Sequence, residues 1–353
     1  MSRFFSDKYK TLVPYTPGEQ PRDKKYIKLN TNESPFPPSP KAMAAAKQAA
    51  ENLELYPDPT CNELHERLAD LYGVKKSQVI AGNGSDEVLN FAFMAFCDKK
   101  HPARFADITY GFYSVFAEIN SVPYTEVPLR DDFTIDIEDY IGKNETVFIA
   151  NPNAPTGIAL SLDEIEKILK GNPDNVVVID EAYVDFGACS AVSLIDKYDN
   201  LLVTQTFSKS RSMAGARLGV AIGSSELISD LNAIKYSTNP YNINRMTMAA
   251  GIGVLEDEEY TKQNCKAIIE NRRYATERMK KMGFVMTESV TNFIFAKHEK
   301  ADGQKLYTKL RERGILVRHF SKEKLDAYNR ITVGSFEQMK ALCDALEEIL
   351  KEN

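Results

Sequence analysis

Compact apolar runs rich in β-branched residues recur along the first two thirds of the chain, and stretches with helical periodicity separate them. Runs without polar alternation are typical of strands buried on both faces of a parallel sheet. They occupy residues 78–81, 146–150, 176–179 and 201–204. The predicted helices cover residues 41–53, 63–72 and 85–96, the second with Leu64, Leu68 and Leu71 on one face. The region therefore predicts an α/β domain with a mostly parallel open sheet.

The pattern changes on both sides of this region. Residues 14–40 are rich in proline, which fixes φ and removes hydrogen-bond donors, so we expect an extended arm. A long helical stretch runs from about Met246 to Met282, with a break near Asp257. Further strands are predicted at 284–286, 292–296, 315–317 and 330–333, with helices at 302–313 and 337–351. We therefore divide the chain into an arm that joins the small domain (1–44), a large domain (45–245) and a small α+β domain (246–353).

Composition and charge exclude several classes of function. A net charge of -6 and short, mixed basic clusters argue against a nucleic-acid-binding protein. The five cysteines are odd in number and widely spaced, and the four histidines are scattered, which predicts neither disulfides nor a metal site. Reduced thiols, the absence of a secretory signal and the absence of a long apolar run favour a cytoplasmic protein without membrane segments.

Lys209 is the first candidate for chemistry. The segment Thr206-Phe207-Ser208-Lys209 follows a predicted buried strand, and Arg217 comes eight residues later. One interpretation is a surface lysine in a loop. The other is a Schiff-base lysine beside an anion that Ser208 and Arg217 bind.

Asp180 and Tyr183 come at the end of another predicted strand, in Asp180-Glu181-Ala182-Tyr183. Ligands of open α/β sheets gather at the carboxyl ends of the strands. A carboxylate there can keep a pyridine nitrogen protonated, and a tyrosine three residues later can reach a phenolic oxygen on the same ring. The alternative for Asp180 is a helix N-cap.

Two further turns follow predicted strands. Gly82-Asn83-Gly84-Ser85-Asp86 opens a helix, so its N–H groups can bind an anion, or the turn is simply a tight one capped by Ser85. Residues 151–157, Asn-Pro-Asn-Ala-Pro-Thr-Gly, place the amide of Asn153 at another strand end. Four polar elements at strand ends together favour the Schiff-base interpretation of Lys209.

The sequence resembles the fold-type I aminotransferases, which depend on pyridoxal 5′-phosphate, and within them the histidinol-phosphate aminotransferases. The resemblance covers nearly the whole chain and rests on Leu29-Asn30-Thr31-Asn32-Glu33-Ser34-Pro35, Asp180-Glu181-Ala182-Tyr183 and Ser208-Lys209 with Gly215-x-Arg217. It implies the fold of that family, with a sheet of the seven-stranded type in the large domain.

The resemblance also implies residue roles. Lys209 would bind the cofactor as a Schiff base and then move a proton between the substrate's α carbon and the cofactor's C4′ carbon. The other cofactor contacts would be Asp180 at the pyridine nitrogen, Tyr183 and Asn153 at the 3′ oxygen, Tyr110 on the ring face, and Ser85, Asp86, Ser208 and Arg217 at the phosphate. Tyr56 would reach the phosphate in a neighbouring subunit, which predicts a homodimer with shared sites.

Substrate recognition would fall to Arg318 and Arg330, with Tyr15 and Asn30 closing over the substrate from the arm. Paired arginines can bind a carboxylate or a phosphate bidentately; the alternative for Arg318 is a surface salt bridge. The sequence departs from the family at Ala154, where asparagine is common, at Ile108, where proline is usual, and at the polar residues 210–212.

The leading functional hypothesis is transamination between L-histidinol phosphate, as the amino donor, and 2-oxoglutarate, the 2-oxo acid, in histidine biosynthesis. An aromatic or broad-specificity amino-acid aminotransferase and a threonine-phosphate decarboxylase remain open on the same scaffold. A regulator that uses the fold as a ligand sensor is disfavoured, because only about 40 arm residues precede the first predicted helix.

Overall fold

A seven-stranded sheet forms the centre of the larger part of the molecule. The computed structural model describes residues 2–352. The strands of this sheet are β2 (Val79–Gly82), β3 (Ala103–Ala106), β4 (Tyr124–Val127), β5 (Thr146–Ala150), β6 (Val177–Asp180), β7 (Leu201–Thr206) and β8 (Gly219–Gly223). They lie in the order β2-β8-β7-β6-β5-β3-β4, and β8 is antiparallel to both of its neighbours while the other adjacent pairs are parallel. The predicted mostly parallel sheet is confirmed.

Helices cover both faces of this sheet. They are α1 (Pro40–Ala49), α2 (Asn62–Tyr72), α3 (Ser85–Phe96), α4 (Phe112–Asn120), α5 (Leu162–Gly171), α6 (Ser225–Thr238) and α7 (Arg245–Leu255). Successive residues of β6 enter different cores, Ile179 on one face and Val178 on the other. The apolar runs therefore lack polar alternation because neither face of the central strands meets water.

A four-stranded antiparallel sheet forms the smaller part, in the order β12-β13-β10-β9. Its strands are β9 (Phe284–Met286), β10 (Phe293–His298), β12 (Arg318–His319) and β13 (Tyr328–Thr332). The accompanying helices are α8 (Glu258–Lys281), α9 (Gly303–Glu312) and α10 (Phe336–Lys351). Ser335 begins α10 with a capping box: its side chain accepts from the Gln338 N–H, and the Gln338 side chain accepts from the Ser335 N–H.

The proline-rich arm attaches to this smaller part. Its strand β1 (Ile27–Lys28) pairs in parallel with β11 (Ile315–Leu316), so the strand predicted at 315–317 belongs to a separate two-stranded sheet. Leu29 is fully buried in the smaller core, and its carbonyl accepts from the Thr332 N–H. Residues 30–32 are thereby held beside β13.

The long helical stretch predicted from Met246 divides into α7 and α8 at Glu256 and Asp257. Ala250 and Val254 of α7 pack into the core of the larger part, whereas Ile268 of α8 packs into the smaller one. The chain therefore passes from the larger hydrophobic core to the smaller one after α7, beyond residue 245.

In the described part of the chain, seven short 3-10 helices complete the regular structure, at Asp7–Tyr9, Ala50–Asn52, Lys76–Gln78, Ile137–Tyr140, Val184–Phe186, Ala191–Leu194 and Ala214–Ala216. Within residues 2–352, no helix combines the length and the apolar character needed to cross a bilayer.

Candidate active site

A cavity of about 350 Å³ opens at the carboxyl ends of β5, β6 and β7, a size within the usual range for small-molecule sites. Lys209, Asp180, Tyr183, Tyr110 and Arg217 all line it. Parallel neighbours end at the same edge of a sheet, so residues distant in sequence converge there. Lys209 is therefore a cavity residue and the surface-loop interpretation is wrong.

One end of the cavity is rich in hydrogen-bond donors. The guanidinium of Arg217 donates to Ser208 Oγ at 3.4 Å and to an Asp86 carboxylate oxygen at 3.1 Å. Helix α3 starts beside them at Ser85, and its N-cap Gly84 supplies no side chain to the first N–H groups. A Cβ on Gly219 would lie 2.1 Å from the Ser85 nitrogen, so glycine lets β8 pass against the start of α3. Free helical N–H groups beside an arginine form an anion site.

Asp180 is buried at the end of β6. Its carboxylate accepts from the Tyr113 hydroxyl at 2.9 Å and from the Thr204 hydroxyl at 3.2 Å. Burial raises the pKa of this carboxyl to about 6, and the two hydroxyl donors oppose that rise. No lysine, arginine or histidine within residues 2–352 forms an ion pair with it. The next helix in this part of the chain has Tyr183 as its N-cap, so the N-cap alternative for Asp180 lacks support. A cation in the cavity would relieve this unfavourable ionisation.

Tyr110 lies between the anion site and Asp180. Its hydroxyl donates to Asp86 at 2.6 Å, and its ring meets Tyr113 edge-on at 5.7 Å between centroids. Burial first, and then the Asp86 carboxylate, hold the pKa of the Tyr110 phenol well above its ordinary value. Its ring is therefore a neutral, anchored wall of the cavity.

Lys209 and Tyr183 meet the arm at the opposite side. Lys209 Nζ lies 5.8 Å from the centre of the Tyr183 ring and 3.4 Å from the Thr31 carbonyl oxygen. The Tyr183 hydroxyl accepts from the side-chain amide of Asn32 at 3.0 Å. Lys209 and Tyr183 therefore contact consecutive arm residues, Thr31 and Asn32.

Asn153 does not line either of the two cavities that meet at Lys209. Its amide nitrogen donates to the Ile108 carbonyl at 2.9 Å and to Thr156 at 3.0 Å, and its oxygen accepts from Thr109 at 2.8 Å. The neighbouring Ala154 lines both cavities instead. The expectation that Asn153 replaces the missing asparagine thus disagrees with the geometry, because its hydrogen-bonding capacity is used within its own loop.

An adjoining cavity shares Lys209, Tyr110 and Tyr183 and extends to the arm and the smaller sheet. Arg318 and Arg330 line it from the smaller sheet, and Tyr15 and Asn30 line it from the arm. Tyr15 stacks on Phe112 at 4.3 Å between centroids, and Asn30 donates to the Glu19 carbonyl at 2.8 Å. The four residues predicted to bind substrate therefore line one cavity.

Tyr56 stands apart from both cavities. Its side chain is 78% exposed and stacks on Tyr241 at 4.6 Å between centroids. Arg245 donates to its carbonyl oxygen at 2.7 Å. Within one chain, Tyr56 does not contact the other predicted cofactor residues.

Sequence reasoning missed three residues of the site: Tyr113, Thr204 and Asn32. Thr204 lies opposite Asp180 in the pairing of β6 with β7, which becomes visible only once the strand register is known. Tyr113 follows Tyr110 by three residues on an apolar helix, so its pattern resembles that of an ordinary core residue. Asn32 was part of the recognised arm motif, but nothing in the sequence pairs it with Tyr183.

Comparison with known proteins agrees with this geometry. Residues 24–346 match the model of the family described as aminotransferase class I and II. Two curated histidinol-phosphate aminotransferases, from Brachyspira hyodysenteriae and a Marinomonas species, are 48% and 51% identical, each over 99% of this chain and 100% of the relative. The fold is also that of a crystal structure of histidinol-phosphate aminotransferase from Sinorhizobium meliloti in complex with pyridoxal-5′-phosphate. That structure has a TM-score of 0.90 and 24% identity, and the match covers 100% of this chain and 99% of the other. The chain belongs to the class I and II aminotransferases.

Proposed function

We propose that this chain transfers the amino group of L-histidinol phosphate to 2-oxoglutarate, a reaction of histidine biosynthesis. The single observation that carries the choice of substrate is the pair Arg318 and Arg330 in a cavity that Lys209 also lines. Arg330 is half-buried, its guanidinium donates to the Asn30 carbonyl at 3.3 Å, and its Nε has no hydrogen-bond partner in the described part of the chain. Both proposed substrates carry anionic groups for the arginines to bind, a phosphate monoester in histidinol phosphate and two carboxylates in 2-oxoglutarate. Identity with the two curated relatives over almost the whole chain supports the same substrate.

The chain is a pyridoxal-phosphate-dependent aminotransferase, and the residues present fit this cofactor. Asp180 is a buried carboxylate without a cation partner in the described part of the chain, which suits a protonated pyridine nitrogen. Ser208, Arg217 and the free N–H groups of α3 suit a phosphate dianion. When bound, the cofactor supplies an electron sink for the bond that breaks at the substrate's α carbon.

In this proposal the chain's own residues divide the work. Asp180 would keep a proton at the pyridine nitrogen, Tyr110 would limit the position of the ring, and Tyr183 would donate to the ring's phenolic oxygen. Lys209 would hold the cofactor through its Nζ, and the same amine, once free, would take the proton from the substrate's α carbon. Its nearness to the Tyr183 ring and to the Thr31 carbonyl limits the volume that the freed amine explores.

We further propose a homodimer in which Tyr56 reaches the phosphate of the neighbouring subunit. The support is the exposed segment that carries it, where Leu53, Leu55 and Tyr56 are all more than half exposed. Contiguous exposed apolar side chains are typical of protein–protein contacts.

The test is a comparison of half-reactions with histidinol phosphate, phenylalanine and threonine phosphate. We expect the highest kcat/KM for histidinol phosphate, with 2-oxoglutarate restoring the starting enzyme. A higher kcat/KM for phenylalanine would assign a broad-specificity aminotransferase. Loss of the carboxylate of threonine phosphate as carbon dioxide would assign a decarboxylase.

A further inference from the structure

Asn32 has an unusually complete set of hydrogen bonds for an arm residue. Its N–H donates to Thr332 Oγ1 at 2.9 Å, and its carbonyl oxygen accepts from the Asn292 amide at 3.0 Å. Its side-chain oxygen accepts from Thr332 Oγ1 at 3.1 Å, and its side-chain nitrogen donates to the Tyr183 hydroxyl. The residue is 1% exposed and adopts a left-handed backbone with φ of 57°. Asn32 is therefore held rigidly with its amide NH₂ directed at Tyr183.

The network also decides which end of the amide faces Tyr183. Thr332 Oγ1 already accepts the Asn32 N–H, so its single hydrogen is available for the side-chain oxygen of Asn32. In the structure the side-chain nitrogen of Asn32 accordingly faces Tyr183, and the Tyr183 hydroxyl accepts from it. The hydroxyl hydrogen of Tyr183 consequently points away from Asn32. The Tyr183 side chain itself lines the cavity.

The contact between Asn32 and Tyr183 matters more in this chain because position 154 of the cavity carries no side-chain amide. Ala154 lines the cavity where the family commonly has asparagine, and Asn153 is fully engaged with Ile108, Thr156 and Thr109. Tyr183 then remains as the donor for the ring's phenolic oxygen, and any freedom in its hydroxyl would weaken that donation.

We infer that Asn32 is a positioning residue that fixes the Tyr183 hydroxyl as a donor to the phenolic oxygen of the cofactor, the function that an asparagine at position 154 would share. The inference rests on the proposed contact between Tyr183 and that oxygen, but not on the identity of the substrate. Donation from Tyr183 draws electron density from the ring oxygen. Since that oxygen stabilises a proton on the nitrogen that joins Lys209 to the cofactor, weaker donation raises the pH at which this proton is lost.

Two substitutions probe the residue without disturbing its backbone. Asn32→Gly removes the side chain, and Asn32→Asp keeps its shape while replacing the donor by an acceptor that competes for the Tyr183 hydrogen. Glycine and aspartate both tolerate the left-handed conformation. Asn292→Ala is the matched control, since it removes the hydrogen bond to the backbone carbonyl of Asn32 and leaves the contacts of the Asn32 side chain with Thr332 and Tyr183 in place.

The measurement is a pH titration of the absorbance of the holoenzyme without substrate, with Tm recorded for each variant. We expect the midpoint to rise by about one pH unit in Asn32→Gly and Asn32→Asp, the equivalent of one lost hydrogen bond to a charged group. Asn292→Ala should keep the wild-type midpoint although its Tm falls. Adding Ala154→Asn to Asn32→Gly should return the midpoint at least halfway, because an amide again faces the ring oxygen.

Three results would overturn the inference: an unchanged midpoint in both Asn32 variants, an equal rise in Asn292→Ala, or no recovery with Ala154→Asn. The substrate plays no part in the titration, so a different amino donor would leave this result standing while it overturned the proposed function. A wild-type protein without a cofactor band would overturn both.

Discussion

Arg330 on β13 lies directly opposite Arg318 on β12, and the two guanidinium groups flank the Phe320 ring at 5.9 and 5.8 Å from its centre. Neither forms an ion pair with a carboxylate in residues 2–352, so the salt-bridge interpretation of Arg318 finds no support. Burial, together with Arg318, holds the pKa of Arg330 below its ordinary value. Two neighbouring cations without a counter-ion form a site that an anionic substrate group would stabilise.

Replacing Arg330 with alanine should lower kcat/KM for histidinol phosphate about 100-fold, since two charge-assisted hydrogen bonds contribute about 3 kcal/mol. Arg318→Lys keeps the positive charge and should lose less than about tenfold. Steady-state kinetics of both variants, with folding checked by Tm, make the comparison. Equal losses would contradict the division of roles between the two arginines.

Replacing Lys209 with alanine should abolish the absorbance band expected at about 420 nm for the lysine-linked cofactor. In the wild type, borohydride reduction should trap the cofactor covalently on residue 209, as peptide mass spectrometry can establish. Lys322→Ala is a suitable control, because Lys322 lines the adjoining cavity but donates to the Asp107 carbonyl. A covalent adduct at another lysine would overturn the assignment.

Asp180 should make the stability of the cofactor-free protein depend on pH. Its folded pKa of about 6 lies above the ordinary value of 3.8, so the group favours folding most below the lower pKa. That contribution is lost as the pH rises from 3.8 to about 6. Above this interval, ionisation of Asp180 in the folded protein lowers the free energy of unfolding by about 3 kcal/mol. Asp180→Asn removes this dependence, so the free energy of unfolding of the variant should rise relative to that of the wild type between pH 4 and pH 6.

Denaturant titrations of both cofactor-free proteins across this range provide the measurement. Any loss of the hydrogen bonds from Tyr113 and Thr204 shifts the variant by a constant amount, whereas the effect of ionisation appears as a change in the difference between the two curves. Parallel stability curves from pH 4 to pH 8 would show that the carboxylate ionises in the folded protein without the expected cost.

Mixed dimers test the proposed sharing of sites. Lys209→Ala and Tyr56→Ala should each lose most activity, because each removes one component of both sites in its own homodimer. In a mixed dimer, one site combines the intact Lys209 with the intact Tyr56 of the other subunit. Random reassociation should therefore restore about a quarter of wild-type activity, and no recovery after verified exchange would argue that Tyr56 acts elsewhere.

The prediction of the fold was largely successful because its signals are local. Helix α3 and strands β5 and β9 have the predicted bounds, since each apolar run is terminated by residues of a different pattern. The same reasoning failed where pairing partners matter. The strand predicted at 315–317 pairs with the arm, and α7 packs into the larger core although it continues a helical pattern that leads into the smaller one.

The candidate site divides in the same way. Lys209, Asp180 and Arg217 could be identified from sequence because an unusual polar residue after a buried strand is itself a signal. Three other features could not be identified from sequence: the partner of Asp180 on β7, the hydrogen bonds of Asn153 within its loop, and the contact between Asn32 and Tyr183. These depend on register and on the approach of the arm to residues about 150 positions away in the chain.

The amino-acid sequence by itself determined the order of helices and strands, the residue types at the strand ends and hence the family of chemistry. Only the tertiary structure decided which of those side chains face the cavity and which are used within their own loops. The physical reason is that hydrophobic periodicity is read over a few residues, whereas the direction of a hydrogen bond depends on every polar neighbour that packing brings within about 3 Å.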